Sequence, residues 1–374
     1  DDRYVRIWQN NNDDYFPGSG NPVYPAMSIG SNGDLYASFS NYTDAAVYYS
    51  QRGGSKTKIF AMYDPSEETD IHISGTGTVN VAYSANYQGG GDANWAVSSG
   101  SAGGIYVYDY YAKGKIYSDT YGSCKFIKHE LFYHNKMLQQ FKNIRVKRSN
   151  TATAGLVHIA YYDRLSSSIH YSNSPGNTQH NPGDNECSWV NIDGGTDSHD
   201  TGSYFDGSSI ALSGNAFEPG VSRAAGTGEY VGLALTKSRY PVLVYFDSAN
   251  KVLKLARANR ENPKGNNGYW KVQSVIKDTS ILGASVESIT CDIDSDGKIH
   301  IAFQNGKNQL VYIKSTNASA NGSSPYTFYA PVVVAEGASW VDLTLYGTTP
   351  YISYLSGVNS YDGMNLAFFD KTID

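Results

Sequence analysis

Residues 297–303 read Gly297-Lys298-Ile299-His300-Ile301-Ala302-Phe303, and five other stretches follow the same pattern. They are Gly33-Asp34-Leu35-Tyr36-Ala37-Ser38-Phe39, Gly77-Thr78-Val79-Asn80-Val81-Ala82-Tyr83, Gly155-Leu156-Val157-His158-Ile159-Ala160-Tyr161, Arg239-Tyr240-Pro241-Val242-Leu243-Val244-Tyr245 and Thr348-Thr349-Pro350-Tyr351-Ile352-Ser353-Tyr354. With the closing aromatic taken as position zero, position −2 is always apolar and position −1 always small or β-branched. Apolar residues at −4, −2 and zero have period two, so they line one face of a strand. The glycine that opens most copies suits a tight hairpin turn, because it reaches positive φ freely.

Further strands flank each copy. One precedes the turn, as in Ser288-Ile289-Thr290-Cys291 and Trp340-Val341-Asp342-Leu343. A third follows, as in Val47-Tyr48-Tyr49, Ile105-Tyr106-Val107 and Leu310-Val311-Tyr312. A fourth carries Trp or an aromatic, as in Trp189-Val190-Asn191-Ile192, Trp270-Lys271-Val272 and Thr327-Phe328-Tyr329. Four antiparallel strands per repeat make a β-propeller blade. The expected fold is therefore all-β, a six-bladed β-propeller in a single domain over residues 1–374. Tyr4-Val5-Arg6-Ile7-Trp8 resembles a fourth strand and is expected to close the ring by completing the last blade, which hides edge strands. Successive zero positions lie 44, 78, 84, 58 and 51 residues apart, which implies insertions near 85–104, 112–140 and 193–228. A degenerate blade within Asp206–Asn215 would make seven. No convincing helix is read; Glu130–Phe141 has partial helical spacing.

These units resemble the repeats of bacterial extracellular propellers of the sialidase-like and lectin-like kind. The Ser-x-Asp-x-Gly-x-Thr-Trp box of sialidases is absent, as are the Trp-Asp signature of WD repeats and the paired glycines of kelch repeats. No family's catalytic residues carry over.

Composition narrows the function. The chain has 35 Asp and Glu against 29 Lys and Arg, a net charge of −6, which argues against nucleic acid as a partner. Charged residues are only 17% while tyrosines number 32, which suits pleated surfaces and surfaces that bind by stacking. No apolar run approaches the roughly 18 residues of a membrane helix. The chain opens Asp-Asp-Arg and reads as a mature chain or as part of a longer exported one. Of three cysteines, Cys124 and Cys187 could pair with Cys291 left buried, or all three could be packed thiols. Asn41, Asn317 and Asn321 head Asn-x-Ser/Thr sequons, relevant only in a eukaryotic secretory pathway.

The short turns before position zero share one face, and the long excursions are read onto the other, where insertions commonly build a binding surface. The expected role is an extracellular or cell-surface binding or adhesion module for a glycan or protein ligand. Tyr87, Trp95, Tyr108, Tyr110, Tyr204 and Tyr361 are its candidate ligand contacts. The alternatives are a carbohydrate-active enzyme, a glycoside hydrolase or lyase using carboxylates such as Asp200, Asp206, Glu218 and Glu229, and a structural spacer in a surface assembly.

Three smaller signals complete the reading. Asp292, Asp294 and Asp296 before Gly297 fit the first half of a Ca2+ loop, but the distal acid is missing and a hairpin with solvated aspartates fits as well. Lys125, Lys128, Lys136, Lys142, Arg145, Lys147 and Arg148 form a basic stretch, read as a solvated insertion or a polyanion site. His158 and His300 share position −3 and are read as packed histidines; Asp163 and Asp247 are read as turn openers.

Overall fold

The computed structural model describes residues 4–9, 22–41, 46–51, 57–61, 69–73, 79–87, 90–98, 105–110, 116–118, 141–149, 156–163, 168–175, 188–194, 227–263, 269–318, 324–356 and 364–369. The chain divides into two compact units, one of Asp1–Asp13, Ala211–Pro263 and Asn267–Asp374, the other of Asp14–Ile210 and Lys264–Asn266.

The first unit holds three four-stranded antiparallel sheets. One runs β15 (Thr227–Leu235), β16 (Pro241–Asp247), β17 (Val252–Ala258) and β18 (Trp270–Ile276). The next runs β19 (Val286–Ile293), β20 (Ile299–Asn305), β21 (Gln309–Lys314) and β22 (Val332–Glu336). The third has β23 (Ala338–Tyr346), β24 (Thr349–Ser356) and β25 (Met364–Phe369), with β1 (Tyr4–Gln9) as its fourth strand. The pairing of β1 on β25, Tyr4 opposite Phe369 and Gln9 opposite Asn365, is the expected N-terminal completion of the last sheet.

The second unit repeats the plan. β2 (Pro22–Ile29), β3 (Leu35–Asn41), β4 (Ala46–Gln51) and β5 (Thr57–Ala61) form one sheet. β6 (Thr69–Ile73), β7 (Val79–Tyr87), β8 (Gly90–Ser98), β9 (Ile105–Tyr110) and β10 (Ile116–Ser118) form a second, and β11 (Phe141–Arg148), β12 (Leu156–Asp163), β13 (Ser168–Pro175) and β14 (Ser188–Gly194) a third. In all six sheets the quoted repeat is the second strand.

The repeat pattern encodes how sheets stack. In one core cluster, Val242, Val244 and Phe246 of β16 meet Ile299, Ile301 and Phe303 of β20. In the next, Ala302 of β20 meets Ile352 and Tyr354 of β24. Odd positions of one repeat thus face the −4, −2 and zero positions of the next. The residue at −1 is kept small or β-branched because a large residue from the following sheet packs over it, at the close density of protein interiors. Both faces are therefore buried: β16 and β20 are buried at every residue.

Several expectations change. Ile105-Tyr106-Val107 lies in the fourth strand of its sheet, and the third strand, β8, occupies much of the segment read as an insertion at 85–104. The outer strand after Lys314 is β22, whereas Phe328 makes only an isolated bridge with Ser315. One helical turn, α1 (Thr279–Leu282), exists where none was read. Its N-cap Asp278 accepts from Ser280 N–H at 2.8 Å, and Gly283 ends it at φ +72°. Elaboration is not one-sided either, since the long β21–β22 connection leaves from the same end of its sheet as the Asp294–Gly297 turn. Among the described residues no helix is long and apolar enough to cross a membrane. Asp206–Asn215, Glu130 to Gln140, Cys124 and Cys187 lie outside the described residues; Cys291 is buried.

Candidate functional site

The first strand of a sheet leaves its outer edge without a ladder partner, so its N–H groups need another acceptor. Short polar side chains of a neighbouring first strand supply it. Val146 N–H donates to Asp70 Oδ2 at 2.6 Å, Leu343 N–H to Thr290 Oγ1 at 3.3 Å and Ile73 N–H to Ser28 Oγ at 3.0 Å. Asp70 and Thr290 hold the same register place, opposite Ala82 and Ala302 at position −1. In β15 that place is Gly232, opposite Val244. A Cβ there would stand 3.0 Å from the backbone N and the Sγ of Cys291, so the missing side chain lets β15 and β19 approach.

Just before that place, β2, β11, β15, β19 and β23 each carry a register shift. Asn143, Ser288 and Trp340 occupy three of these bulges in the left-handed region, at φ +55°, +48° and +50°. Asn143 and Ser288 are buried, whereas Trp340 is 36% exposed. Its surroundings are stiff. Ala338 N–H donates to Asn308 O at 2.9 Å, and the Asn305 side chain holds the adjoining turn by accepting from Lys307 and Gln309 N–H at 3.0 Å each. Trp340 lies at the end of its sheet where Ser356 leads into the 357–363 connection that contains Tyr361. Sequence reading placed Trp340 in a strand and gave it no role; lining up the first strands by their latch residue is the signal that finds it.

At the other end of the β19–β20 hairpin, Asp294 is consumed by the fold. Its Oδ1 accepts from Asp296 and Lys298 N–H at 2.9 and 2.8 Å. Its Oδ2 meets His300 Nε2 at 3.0 Å and Lys314 Nζ at 3.2 Å. Tyr312 OH lies 2.6 Å from His300 Nδ1. Burial pushes the Asp294 carboxyl up, but its bonds with His300, Lys298 N–H and Lys314 outweigh that and hold it below the usual range. Burial holds the His300 ring neutral to about pH 4, against the upward pull of Asp294. The chain Tyr312–His300–Asp294–Lys314 is a closed structural network rather than a site open to substrate. Among the described residues no group of three or more His, Cys, Asp and Glu side chains could hold a metal ion, and Asp292, Asp294 and Asp296 form no such group. His158 matches His300 in burial and in its tyrosine, with Nδ1 2.6 Å from Tyr171 OH. Asp247 opens its turn by accepting from Asn250 N–H at 2.9 Å, and it holds Lys254 at 2.8 Å in a buried ion pair.

Four of the six aromatic residues proposed from sequence share one sheet. Tyr87, Trp95, Tyr108 and Tyr110 fall in the five-stranded sheet, on β7, β8 and β9. Trp95 pairs with Ala82, the register place that Tyr171 and Tyr312 hold opposite Ala160 and Ala302 in their sheets. Tyr204 and Tyr361 lie outside the described residues, as do Lys125, Lys128 and Lys136. Lys142, Arg145, Lys147 and Arg148 are on β11.

This architecture is that of the β-propellers. A protein of unknown function from Dyadobacter fermentans matches over 98% of this chain and 97% of its own, at 12% identity and TM-score 0.55. The intramolecular trans-sialidase from Ruminococcus gnavus, solved with oseltamivir carboxylate, matches over 98% and 97% at 10% identity and TM-score 0.51. A Hadza microbial sialidase matches over 97% of this chain and 68% of its own, at 11% identity and TM-score 0.50. At such identities the likeness is one of fold. No family model matches the chain, and no curated protein matches it at a significant level.

Proposed function

We infer that the protein is an extracellular or cell-surface binding module that recognises a glycan. In this reading the six sheets are six blades, with β1 as the clasp of the last. The observation that carries it is Trp340. A bulky residue at positive φ costs on the order of 1–3 kcal/mol and persists only where its surroundings over-determine it. The two other bulge residues at positive φ, Asn143 and Ser288, are small and buried, so the backbone does not require an indole there. An indole held at a strand end on a stiff support is preorganised for stacking on a sugar ring. Tyr361, in the adjoining connection, is a second contact in this reading.

A glycan array probed with the full chain tests it. A hit should weaken several-fold to about tenfold in Trp340→Ala, the scale of one aromatic contact, with the melting temperature preserved. Absence of any glycan hit, together with a protein captured from envelope extract, would replace the glycan by a protein ligand.

A carbohydrate-active enzyme is the second reading, favoured by the two sialidases that share the fold. It requires carboxylates from Asp200, Asp206, Glu218 or Glu229 to gather. Incubation with sialylated and uronate-containing glycans, read for released sugar, decides between the two.

A further inference from the structure

In β19, Val286, Ile289 and Cys291 join the core cluster shared with β16 and β17. Strand alternation turns Glu287 and Thr290 to the other face, toward β23, with Ser288 as the extra residue of the bulge between them. Thr290 confirms that direction, because its Oγ1 accepts from Leu343 N–H at 3.3 Å and donates to Asp342 Oδ1 at 3.2 Å. Further along, Ala338 N–H donates to Asn308 O, in the turn that follows Asn305, the ladder partner of Val286. The two first strands therefore run the same way. Three residues back from the Thr290–Leu343 latch stand Glu287 on β19 and Trp340 on β23. Tertiary structure thus sets a carboxylate and an indole at one level of adjacent strands. Glu287 is part-buried and Trp340 is 36% exposed.

Among the described residues the Glu287 carboxylate has no hydrogen-bond or ion-pair partner. The cations of the adjoining turns are engaged elsewhere: Lys307 Nζ donates to Ser280 O at 2.6 Å and Lys251 Nζ to Ala284 O at 3.0 Å. A part-buried carboxylate without a counter-charge is costly, and a ligand that brings a cation offsets that cost. The same charge repels a carboxylated or sulfated sugar.

We propose that Trp340 and Glu287 form one subsite for an amino sugar, a hexosamine whose amine is free and protonated. The apolar face of the sugar stacks on the indole. The ammonium, carried on the same ring, is drawn to the π face and bonds to the Glu287 carboxylate. The Thr290–Leu343 latch and the Ala338–Asn308 bond hold the two strands at a fixed distance, so the two contacts are presented together. The subsite rests on Trp340 as the stacking residue of the glycan-binding module and adds to it the class of sugar.

The test uses the full chain and isothermal titration calorimetry at constant ionic strength, at a pH that keeps the amine protonated. The probes are a glucosamine tetramer, its fully N-acetylated counterpart and a galacturonate tetramer. The glucosamine tetramer should bind tightest and the galacturonate should not bind. Glu287→Gln should weaken the glucosamine tetramer at least roughly tenfold and leave the acetylated one unchanged. Trp340→Ala should weaken both. Equal binding of the amine and acetylated tetramers, tighter binding of the galacturonate, or an amine preference that survives in a Glu287→Gln variant melting as the parent does, overturns the amino-sugar assignment and leaves Trp340 stacking intact. Binding of neither tetramer by the parent overturns the assignment too, and a glycan-array hit lost in Trp340→Ala then keeps the stacking residue. Glycan binding unchanged in Trp340→Ala overturns the stacking residue and the shared subsite together. Should Glu287→Gln fail to fold, the ranking of the three tetramers on the parent chain decides.

Discussion

His300 Nε2 and Asp294 Oδ2 stand 3.0 Å apart, and neither side chain is exposed to solvent. The same repeat position in the β11–β12 hairpin is His158, and the residue in the place of Asp294 is Ser149. The two residues close their turns alike: Asp294 N–H donates to Lys298 O and Ser149 N–H to Leu156 O, both at 2.9 Å. Each also caps the returning N–H, Asp294 Oδ1 from Lys298 and Ser149 Oγ from Leu156. Serine is too short to go on to the imidazole, and among the described residues His158 Nε2 has no hydrogen-bond partner.

Ser149→Asp should therefore give His158 the partner that His300 has. The His158 pKa, held at about 3 by burial, should rise toward the value of about 4 found for His300. Histidine NMR titration reads this. A His158 that does not move would mean that the two turns are not equivalent.

Asp294→Asn keeps a turn acceptor but removes the charge shared by His300 and Lys314. Charged hydrogen bonds of this kind contribute about 1.5–3 kcal/mol each, and loss of one partner leaves Lys314 part-buried beside a neutral amide. The denaturant midpoint should fall, with the slope unchanged if only stability is affected.

Acid should unfold the protein over a defined window. His72 and His158 are held to about 3 and His300 to about 4, all by burial first. Each folded value lies below the unfolded one near 6.5. The stabilisation is complete above about pH 6.5 and is lost as pH falls through the folded values. Asp294, also held low, acts in the same direction at the bottom of the window. A melting temperature flat between pH 6.5 and 4 would contradict this.

Gly232→Ala and Gly347→Ala separate two costs. At Gly232 the new methyl meets Cys291 backbone and sulfur at 3.0 Å, so β15 and β19 must part, a loss of about 1–3 kcal/mol. At Gly347 there is open space but φ is +64°, and the loss should be near 1 kcal/mol, from backbone conformation alone. Paired unfolding curves measure both.

Deleting residues 1–9 would strip β1 from β25 and expose a ladder edge in the last sheet. A lower melting temperature and concentration-dependent association should follow, read by light scattering beside thermal unfolding.

The repeat strand was legible because it is local. Period-two apolar residues, a small residue at −1 and a glycine turn are written within seven positions, and each copy became the second strand of a sheet. The N-terminal strand was legible for the same reason. His158 and His300 were legible as packed histidines, but the burial of Ser38 and Asn80 was less so, because one strand read alone shows a polar face that only a stacked neighbour covers. Strand boundaries failed where glycine- and tyrosine-rich segments look like loop, as at β8. The Trp340 bulge and the Asp70–Val146 latch were out of reach, since the latch joins residues 76 positions apart and the bulge depends on a φ angle. Sequence alone determined the repeat strands and their apolar faces, because hydrophobic period and turn chemistry act between near neighbours. Which polar side chains meet was decided by tertiary structure, because register and sheet-to-sheet approach are set only when every strand is in place.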